Sequence, residues 1–182
     1  MAENRPASAP RVEVVQGDIT KVPADAIVNA ANSALAEGTG VCGAIFRAAG
    51  QRELAEACKA IGGCPTGQAV VTPAFSIATA RYIVHAVGPI YDRYGPDEAR
   101  TLLRQAYESA IRAARDAGCA SVALPAISTG VYGYPLAEAC REAAEVCLDE
   151  ARETGLAITL VAFDSHTAQL LRAAVATTAG QG

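Results

Sequence analysis

The stretch that decides the fold spans residues 25–50 and reads DAIVNAANSALAEGTGVCGAIFRAAG. It begins with a short β-branched run that is typical of a strand, and its last part, GAIFRAA, is typical of a helix. Between them, Gly38, Gly40 and Gly43 match the pattern G-x-G-x-x-G, which holds the pyrophosphate of dinucleotides when it directly follows a strand. The stretch therefore predicts a strand, a glycine loop and a helix, and it raises the question of which ligand the loop holds.

The spacing around these glycines disfavours a Rossmann-type site. In that fold the first glycine follows the strand almost at once, whereas here the segment NAANSALAE separates them. The Rossmann pattern also places an acidic residue at the end of the next strand, but Glu53 and Glu56 lie in a helical stretch. The glycines instead indicate an anion site built from backbone N–H groups and a helix start, with a simple turn of the chain as the alternative.

A second loop, LPAISTGVYGYP at residues 124–135, has the same design. It follows a strand, carries Gly130 and Gly133, and leads into a helix that begins near Pro135. Ser128 and Thr129 add hydroxyl groups beside its backbone amides. Two such loops predict a grip on a diphosphate from both sides. The chain has no G-x-x-x-x-G-K-[ST] motif, so no lysine is expected to support an ATP γ-phosphate.

The rest of the chain alternates short β-branched runs with amphipathic stretches. Strands are predicted at residues 11–16, 25–30, 68–75, 81–87, 121–127 and 156–163. Further helices are predicted at residues 95–118, 134–155 and 165–176, the last with Ser165 as its N-cap. This alternation predicts an α/β fold in which helices cover both faces of a sheet and ligands lie at the carboxyl ends of the strands. The expected boundaries are a disordered tail at 1–10, a single domain at 11–176 and a C-terminal tail at 177–182.

Composition narrows the classes of function. The length of 182 residues suggests one domain, and no apolar run is long enough to span a bilayer. Without a secretory signal, we expect a cytoplasmic protein whose six cysteines are reduced. The net charge of −4 and the lack of a Lys/Arg run disfavour a nucleic-acid-binding face. We expect a monomer with no membrane association, no cofactor and no metal, since Cys58, Cys64 and Cys119 lack the C-x₂-C spacing of a zinc site.

Three segments together resemble the macrodomain family: GDIT at 17–20, DAIVNAANS at 25–33 and PAISTGVYGYP at 125–135. The resemblance extends from about Val12 to Phe163, which is nearly the whole predicted domain. It implies a three-layer α/β/α sandwich with a mixed central sheet and a cleft that binds ADP-ribose. In many members it also implies removal of ADP-ribose from modified proteins. ADP-ribose and ADP-ribosylated proteins are therefore the expected partners.

The resemblance also implies roles at the adenine end of such a cleft. Asp18 would accept a hydrogen bond from the adenine amino group, beside the backbone N–H of Ile19. Phe163 would stack on the adenine. Two alternatives stay open: Asp18 caps a turn, and Phe163 is a core residue of a buried strand.

At the opposite end, Asn32 would bond the hydroxyls of the distal ribose, because an amide both donates and accepts. Tyr132 would lie over that ribose, with a plain surface position in the loop as the alternative. The resemblance assigns the diphosphate and distal ribose to backbone N–H groups of Gly40, Val41, Cys42, Ser128, Thr129, Gly130 and Val131. Catalysis would depend on Asn32, Tyr132 and Gly40, whereas Asn29 is expected to bond neighbouring backbone.

The first loop departs from the hydrolases of the MacroD-type branch, which read roughly G-G-G-V-D-G-x-I-H. Cys42 stands where those hydrolases have the acid proposed to activate or orient water, and Phe46 stands in place of their histidine. A nucleophilic Cys42 needs a base within reach, and the spacing places neither His85 nor His166 beside it.

Two functions therefore stay open. The first, which we favour, is hydrolysis of ADP-ribosyl esters or O-acetyl-ADP-ribose, with water positioned by the diphosphate of the substrate. The second is binding of ADP-ribose without catalysis.

Overall fold

The computed structural model describes residues 11–181, so the predicted tail at 1–10 lies outside the described residues. Six strands form one sheet in the order β1-β6-β5-β2-β4-β3, and only β3 is antiparallel to its neighbour. Their bounds are β1 Val12–Gln16, β2 Ala26–Ala31, β3 Ala69–Pro73, β4 Tyr82–Val87, β5 Ser121–Pro125 and β6 Ala157–Ala162. All six predicted strands are confirmed, and the mixed sheet is the one that the resemblance implies.

Helices cover both faces of this sheet. Their bounds are α1 Gly40–Ala49, α2 Gln51–Ile61, α3 Pro96–Asp116, α4 Leu136–Thr154 and α5 Ser165–Ala179. One apolar core lies between the sheet and α1 and α2, and a second lies between the sheet and α3, α4 and α5. Neighbouring residues of β2 enter different cores, because side chains alternate along a strand: Val28 packs with α3 and α4, and Ile27 packs with α1. The predicted three-layer α/β/α sandwich is confirmed.

The last helix differs from its prediction at both ends. The sequence predicts Ser165 as the N-cap, but the cap is Asp164, whose carboxylate accepts a hydrogen bond from the Thr167 N–H at 2.8 Å. Asp164 has the extended backbone of a cap, whereas Ser165 already lies in the helix. The helix also continues to Ala179, through the first residues of the predicted tail at 177–182, because no glycine or proline interrupts it before Gly180.

Three features of the described residues bear on the remaining expectations. Within residues 11–181, no helix is long and apolar enough to cross a membrane. The six cysteines are free thiols, and each is buried. No three His, Cys, Asp or Glu side chains in the described part of the chain lie close enough together to hold a metal ion.

A buried tyrosine connects α3 to the start of the second glycine loop. The Tyr107 hydroxyl donates to the Pro125 carbonyl and accepts from the Ile127 N–H, each at 2.9 Å. Tyr107 is fully buried, so neither backbone group has water as a replacement partner. This one hydroxyl therefore fixes the point at which the chain leaves β5 and enters the loop.

We expect Tyr107→Phe to lower the free energy of unfolding by about 1–3 kcal/mol, because the change leaves a buried N–H and a buried carbonyl unpartnered. Urea denaturation followed by circular dichroism measures the change. Tyr94→Phe is the matched control, since Tyr94 is only partly buried and its hydroxyl makes no hydrogen bond within residues 11–181. Equal stability of the two variants would contradict the role given to the Tyr107 hydroxyl.

Candidate functional site

A cleft of about 740 Å³ lies where the parallel strands end. Gly17 follows β1, Asn32 follows β2, Gly88 follows β4, Ala126 follows β5 and Phe163 follows β6, and all five line it. This cleft therefore lies at the carboxyl ends of the strands, where the sequence predicts the ligand site.

A smaller, more open hollow of about 350 Å³ lies at the opposite edge of the sheet, beside Asp25 and Arg81. Asp25, which lines this hollow, already makes hydrogen bonds within the protein. Asp25 accepts from the Ala120 N–H at 2.7 Å and donates its own N–H to Ser121 Oγ at 2.9 Å. The cleft holds all of the predicted site residues and this hollow holds none of them, so the cleft is the candidate site.

The structure brings every residue of the predicted binding and catalytic sets to the walls of the cleft. These residues are Asp18, Ile19, Asn32, Gly40, Val41, Cys42, Ser128, Thr129, Gly130, Val131, Tyr132 and Phe163. Their individual roles toward a ligand stay predictions.

The first glycine loop ends at the start of α1. Helix α1 begins at Gly40, whose φ of +59° is in the left-handed region, and Thr39 before it supplies no side-chain cap. The N–H groups of the first turn are thus left available to an anion, and the helix dipole adds to their attraction. A Cβ atom at Gly43 would lie 2.7 Å from the Gly38 carbonyl oxygen, so only glycine allows the loop to fold back against the helix.

The second loop is held by its own backbone. Tyr134 N–H donates to the Ser128 carbonyl at 2.9 Å, and Gly133 N–H donates to the Gly130 carbonyl at 3.0 Å. Ser128 has a φ of +68°, which is uncommon for a residue with a side chain. This strained residue lies in the wall of the cleft. In proteins, strained backbone is concentrated at active sites and ligand-binding sites.

The hydroxyls of this loop are placed differently from the prediction. The sequence predicts that Ser128 and Thr129 present hydroxyls to the ligand beside their amides. Ser128 Oγ is buried without a partner in the described residues, and Thr129 Oγ1 donates to the Ala126 carbonyl at 2.8 Å. The second loop therefore presents its backbone to a ligand in the cleft, and not the protons of these two hydroxyls.

At the end of the cleft next to β1 and β6, an acid and an aromatic ring lie close to each other in the wall. Asp18 Oδ1 accepts from the Thr20 hydroxyl at 2.7 Å and the Thr20 N–H at 2.9 Å. The hydroxyl hydrogen bond lowers the pKa of Asp18, so the carboxylate is charged at neutral pH. Asp18 does cap a turn, yet its other oxygen makes no hydrogen bond in the described residues. Phe163 is 81% exposed, so its alternative as a core residue is wrong.

Asn32 lies in the cleft wall with its amide partly used. Its Nδ2 donates to the Ala36 carbonyl and its Oδ1 accepts from the Ala36 N–H, both at 3.0 Å. The two bonds hold the turn that precedes the first glycine loop. One amide proton and one oxygen lone pair are left for a ligand.

Cys42 is a buried neutral thiol at the base of the first loop. Burial raises its pKa, although it lies in the first turn of α1. The Sγ atom lies 3.6 Å from Asn29 Nδ2 and 3.7 Å from the Ala36 carbonyl oxygen. A thiol held in this form is a poor nucleophile at neutral pH.

A buried polar chain under Cys42 is absent from the sequence predictions. The sequence predicts backbone bonds for Asn29, but its Nδ2 donates to His85 Nδ1 at 3.0 Å as well as contacting the Cys42 thiol. His85 Nε2 in turn lies 2.9 Å from Thr72 Oγ1. The prediction for Asn29 is wrong because of the strand order, since β2 pairs with β4 and places Asn29 opposite His85. Since the amide donates to both neighbours, it offers no path for the thiol proton to reach the imidazole.

Two residues of α1 complete the description of this wall. Phe46, at the position where the resemblance implies a histidine, is 1% exposed and packs in the core, so it is not part of the cleft. Arg47 lines the cleft and is absent from the predicted set. Its spacing from Gly40 and Ala44 on one helical face is the signal that would have found it.

Comparisons with known proteins identify relatives over most of the chain. The family model described as Macro domain matches residues 28–144. An O-acetyl-ADP-ribose deacetylase of Salmonella gallinarum is 46% identical over 166 residues, which cover 88% of this chain and 91% of the relative. A macrodomain of Oceanobacillus iheyensis, solved with ADP, has a TM-score of 0.90 at 34% identity and covers 98% of this chain and 96% of its own. A Trypanosoma brucei macrodomain in complex with ADP-ribose has a TM-score of 0.81 at 35% identity, covering 94% and 72%.

The buried imidazole predicts how stability depends on pH. Burial lowers the pKa of His85 to about 4, whereas an unfolded histidine has a pKa of about 6.5. Between these values the unfolded chain binds a proton that the folded protein does not, so stability is full above about pH 6.5 and falls as the pH drops toward 4. The expected loss is about 3 kcal/mol.

Urea unfolding at several pH values from 4 to 7 measures this slope. His85→Gln removes the titrating group and keeps hydrogen-bonding capacity, and we expect it to flatten the slope in this window. His166→Gln is the control, because His166 is exposed. A slope that persists in His85→Gln would show that other groups cause it.

Proposed function

The chain belongs to the macrodomain family, and on that premise we propose that it binds ADP-ribose in the cleft and hydrolyses ADP-ribosyl esters. The substrate class includes ADP-ribose joined to Asp or Glu side chains of modified proteins, and O-acetyl-ADP-ribose. Relatives named as O-acetyl-ADP-ribose deacetylases and macrodomains solved with ADP and ADP-ribose support this proposal. We further propose that the domain works in the cytoplasm as a monomer and needs no cofactor.

One observation carries the proposal: two strand-to-helix turns with glycines line the same cleft. The first presents the uncapped start of α1, and the second presents the backbone of residues 128–132. Backbone N–H groups and a helix N-terminus attract a diphosphate without lysine side chains. Arg47 is the one lysine or arginine among the lining residues of the described cleft, which fits an anion held mainly by the main chain.

The side chains at the two ends of the cleft support one orientation of the ligand. The free carboxylate oxygen of Asp18 is suited to the adenine amino group, and the exposed face of Phe163 is suited to stacking on the ring. At the other end, the remaining donor and acceptor of Asn32 are suited to the distal ribose hydroxyls, with Tyr132 over the sugar.

Catalysis would proceed without an acid or base from the first loop. A water molecule held by the bound diphosphate would add to the ester carbonyl carbon, and the bond from that carbon to the sugar oxygen would break. The sugar oxygen takes one proton, and the acid leaves as a carboxylate while the second proton passes to solvent. Positioning of this kind supplies up to about 7–11 kcal/mol in ideal cases.

One observation favours a second function, namely binding without hydrolysis. The cleft acids Asp18 and Asp164 are both engaged in caps, and the first loop contributes no acid to the lining of the cleft. Cys42 is held as a neutral thiol and Phe46 is buried. On this basis a reader of ADP-ribose is the alternative.

Release of ADP-ribose from defined conjugates distinguishes ester hydrolysis from binding without hydrolysis. The protein is incubated with ester-linked, arginine-linked and serine-linked mono-ADP-ribosylated peptides and with O-acetyl-ADP-ribose, and calorimetry measures affinity for ADP-ribose, AMP and NAD. We expect preference for ADP-ribose and release from the esters above a no-enzyme control. Preferential binding of ADP-ribose without release of product would favour the function of binding alone, and equal affinity for NAD would contradict both functions.

We expect Cys42→Ala to keep hydrolytic activity within a few-fold of the wild type, and a loss beyond about a hundredfold would indicate thiol catalysis.

We expect Gly40→Glu to abolish ADP-ribose binding, because a side chain there would project a carboxylate toward the diphosphate path. No atom lies within 4 Å of the position of the added Cβ, so the protein itself leaves room for the new side chain. Calorimetry with ADP-ribose measures the loss.

The matched control is Gly155→Glu at the end of α4. Gly155 has a φ of +72°, also has nothing within 4 Å of an added Cβ, and is not part of the cleft wall. It therefore reproduces the backbone strain and the added charge. Unchanged affinity in Gly40→Glu, or an equal loss in Gly155→Glu, would refute the assignment of the first loop.

A further inference from the structure

The segment that follows β4 is attached to the second glycine loop. Its short 3₁₀ turn spans Tyr91–Arg93. Tyr91 N–H donates to the Tyr132 carbonyl at 2.9 Å, and the Tyr91 ring meets the Tyr134 ring edge-on with centroids 5.0 Å apart. The turn is therefore held against the part of the cleft wall that carries Tyr132.

Arg93 is the last residue of this turn, and its guanidinium forms no salt bridge within the described residues. Its backbone N–H donates to the Ile90 carbonyl at 3.0 Å, which fixes its place in the turn, while its side chain is exposed. Within residues 11–181 its guanidinium has no salt-bridge partner, in contrast to the paired Arg100, Arg104 and Arg112 of the neighbouring α3. Arg93 is two residues from Tyr91, whose N–H bonds the carbonyl of the lining residue Tyr132, so the turn that carries Arg93 lies beside this part of the cleft wall.

The charge of Arg93 acts on the phenol of Tyr132 in the cleft wall. Burial raises the pKa of the Tyr132 phenol, nearby Cys42 raises it further, and Arg93 acts in the opposite direction. The phenol thus lies within range of both the Cys42 thiol of the first loop and the guanidinium of the turn. Asp92, on the same turn, is an exposed acid, and it is not among the charges that shift the pKa of Tyr132.

We propose that Arg93 binds the acyl group of the ester and stabilises the negative charge that develops on it during hydrolysis. This inference rests on the proposed function, because it requires the distal ribose to lie under Tyr132. A group joined to that ribose leaves the cleft at its edge, beside the turn that Tyr91 holds there. A guanidinium suits this position, since its N–H groups match the two oxygens of a carboxyl group.

The chemistry gives the cation a defined task. When water adds to the ester carbonyl, the carbonyl oxygen becomes an oxyanion, and when the carbon–oxygen bond to the sugar breaks, the acid leaves as a carboxylate. Both species carry negative charge on the acyl oxygens, whereas the ester carries none. A cation already carried by the turn beside Tyr132 therefore favours the transition state over the bound ester. The same cation repels a conjugate of arginine, so the inferred substrate class is esters of carboxylic acids.

Steady-state hydrolysis of O-acetyl-ADP-ribose by Arg93→Gln tests this role. We expect kcat to fall about tenfold with KM within about twofold, because the charge acts in the transition state and solvent at this exposed position screens it. Arg93→Lys should recover part of the loss. Affinity for ADP-ribose, measured by calorimetry, should stay within about twofold of the wild type, since the product lacks the acyl group.

Arg115→Gln is the matched control. Arg115 is an exposed arginine at the far end of α3, and its replacement changes the net charge by the same amount. A kcat for Arg93→Gln equal to that of Arg115→Gln, with ADP-ribose binding intact, overturns the inference and leaves the proposed function standing. A wild-type protein that binds ADP-ribose and releases no acid also overturns it. A wild-type protein that does not bind ADP-ribose overturns the proposed function and the inference together.

Discussion

The site depends on how closely two turns of backbone are held at the ends of the strands. A backbone N–H group cannot extend toward a ligand as a lysine does, so the turn itself must be placed correctly. Buried contacts do this on both sides: Gly43 lies against the Gly38 carbonyl, and the Tyr107 hydroxyl bonds the chain on either side of Ala126. Gly88 leaves the space that Ser128 and Ile127 occupy, because a Cβ at this position would overlap both side chains. Glycine is therefore required at positions 43 and 88 because neighbouring atoms leave no room for a side chain.

The charges around the cleft also favour one direction of binding. Asp18 and Asp164 line the same end as Phe163, and hydrogen bonds within their caps lower the pKa of each, so that both are charged. Two carboxylates repel phosphate groups from that end. The start of α1 and the second loop attract them to the middle of the cleft. In a protein with a net charge of −4, this local arrangement matters more than the overall charge.

Much of the fold and the cleft wall could be predicted from the sequence, because both follow from local patterns. Alternating β-branched residues, the glycines of the two loops and the Pro96 helix start act within a few residues. The features that were missed depend on pairing between distant segments. Asn29 meets His85 only because β2 lies beside β4, and the turn that carries Arg93 is held beside the cleft wall by the bond of Tyr91 to Tyr132. The cap at Asp164 was missed for a different reason, since Asp164 and Ser165 are adjacent and both are good caps.

The replacement of an acid by Cys42 changes the chemistry of the loop more than its shape. The thiol fills a buried position between the Asn29 amide and the Ala36 carbonyl, and Ala36 is in turn fixed by Asn32. The loop thus keeps the geometry that an anion requires, but it lacks the acid that the resemblance implies at this position. In an ester the reacting carbon is already electrophilic, so orientation of water and stabilisation of the oxyanion contribute more than a strong base would. In the proposed reaction the diphosphate, held by the backbone amides of the wall, supplies the first, and Arg93 on the turn beside Tyr132 supplies the second. A cleft of this composition is consequently better suited to esters than to linkages whose leaving group must be protonated.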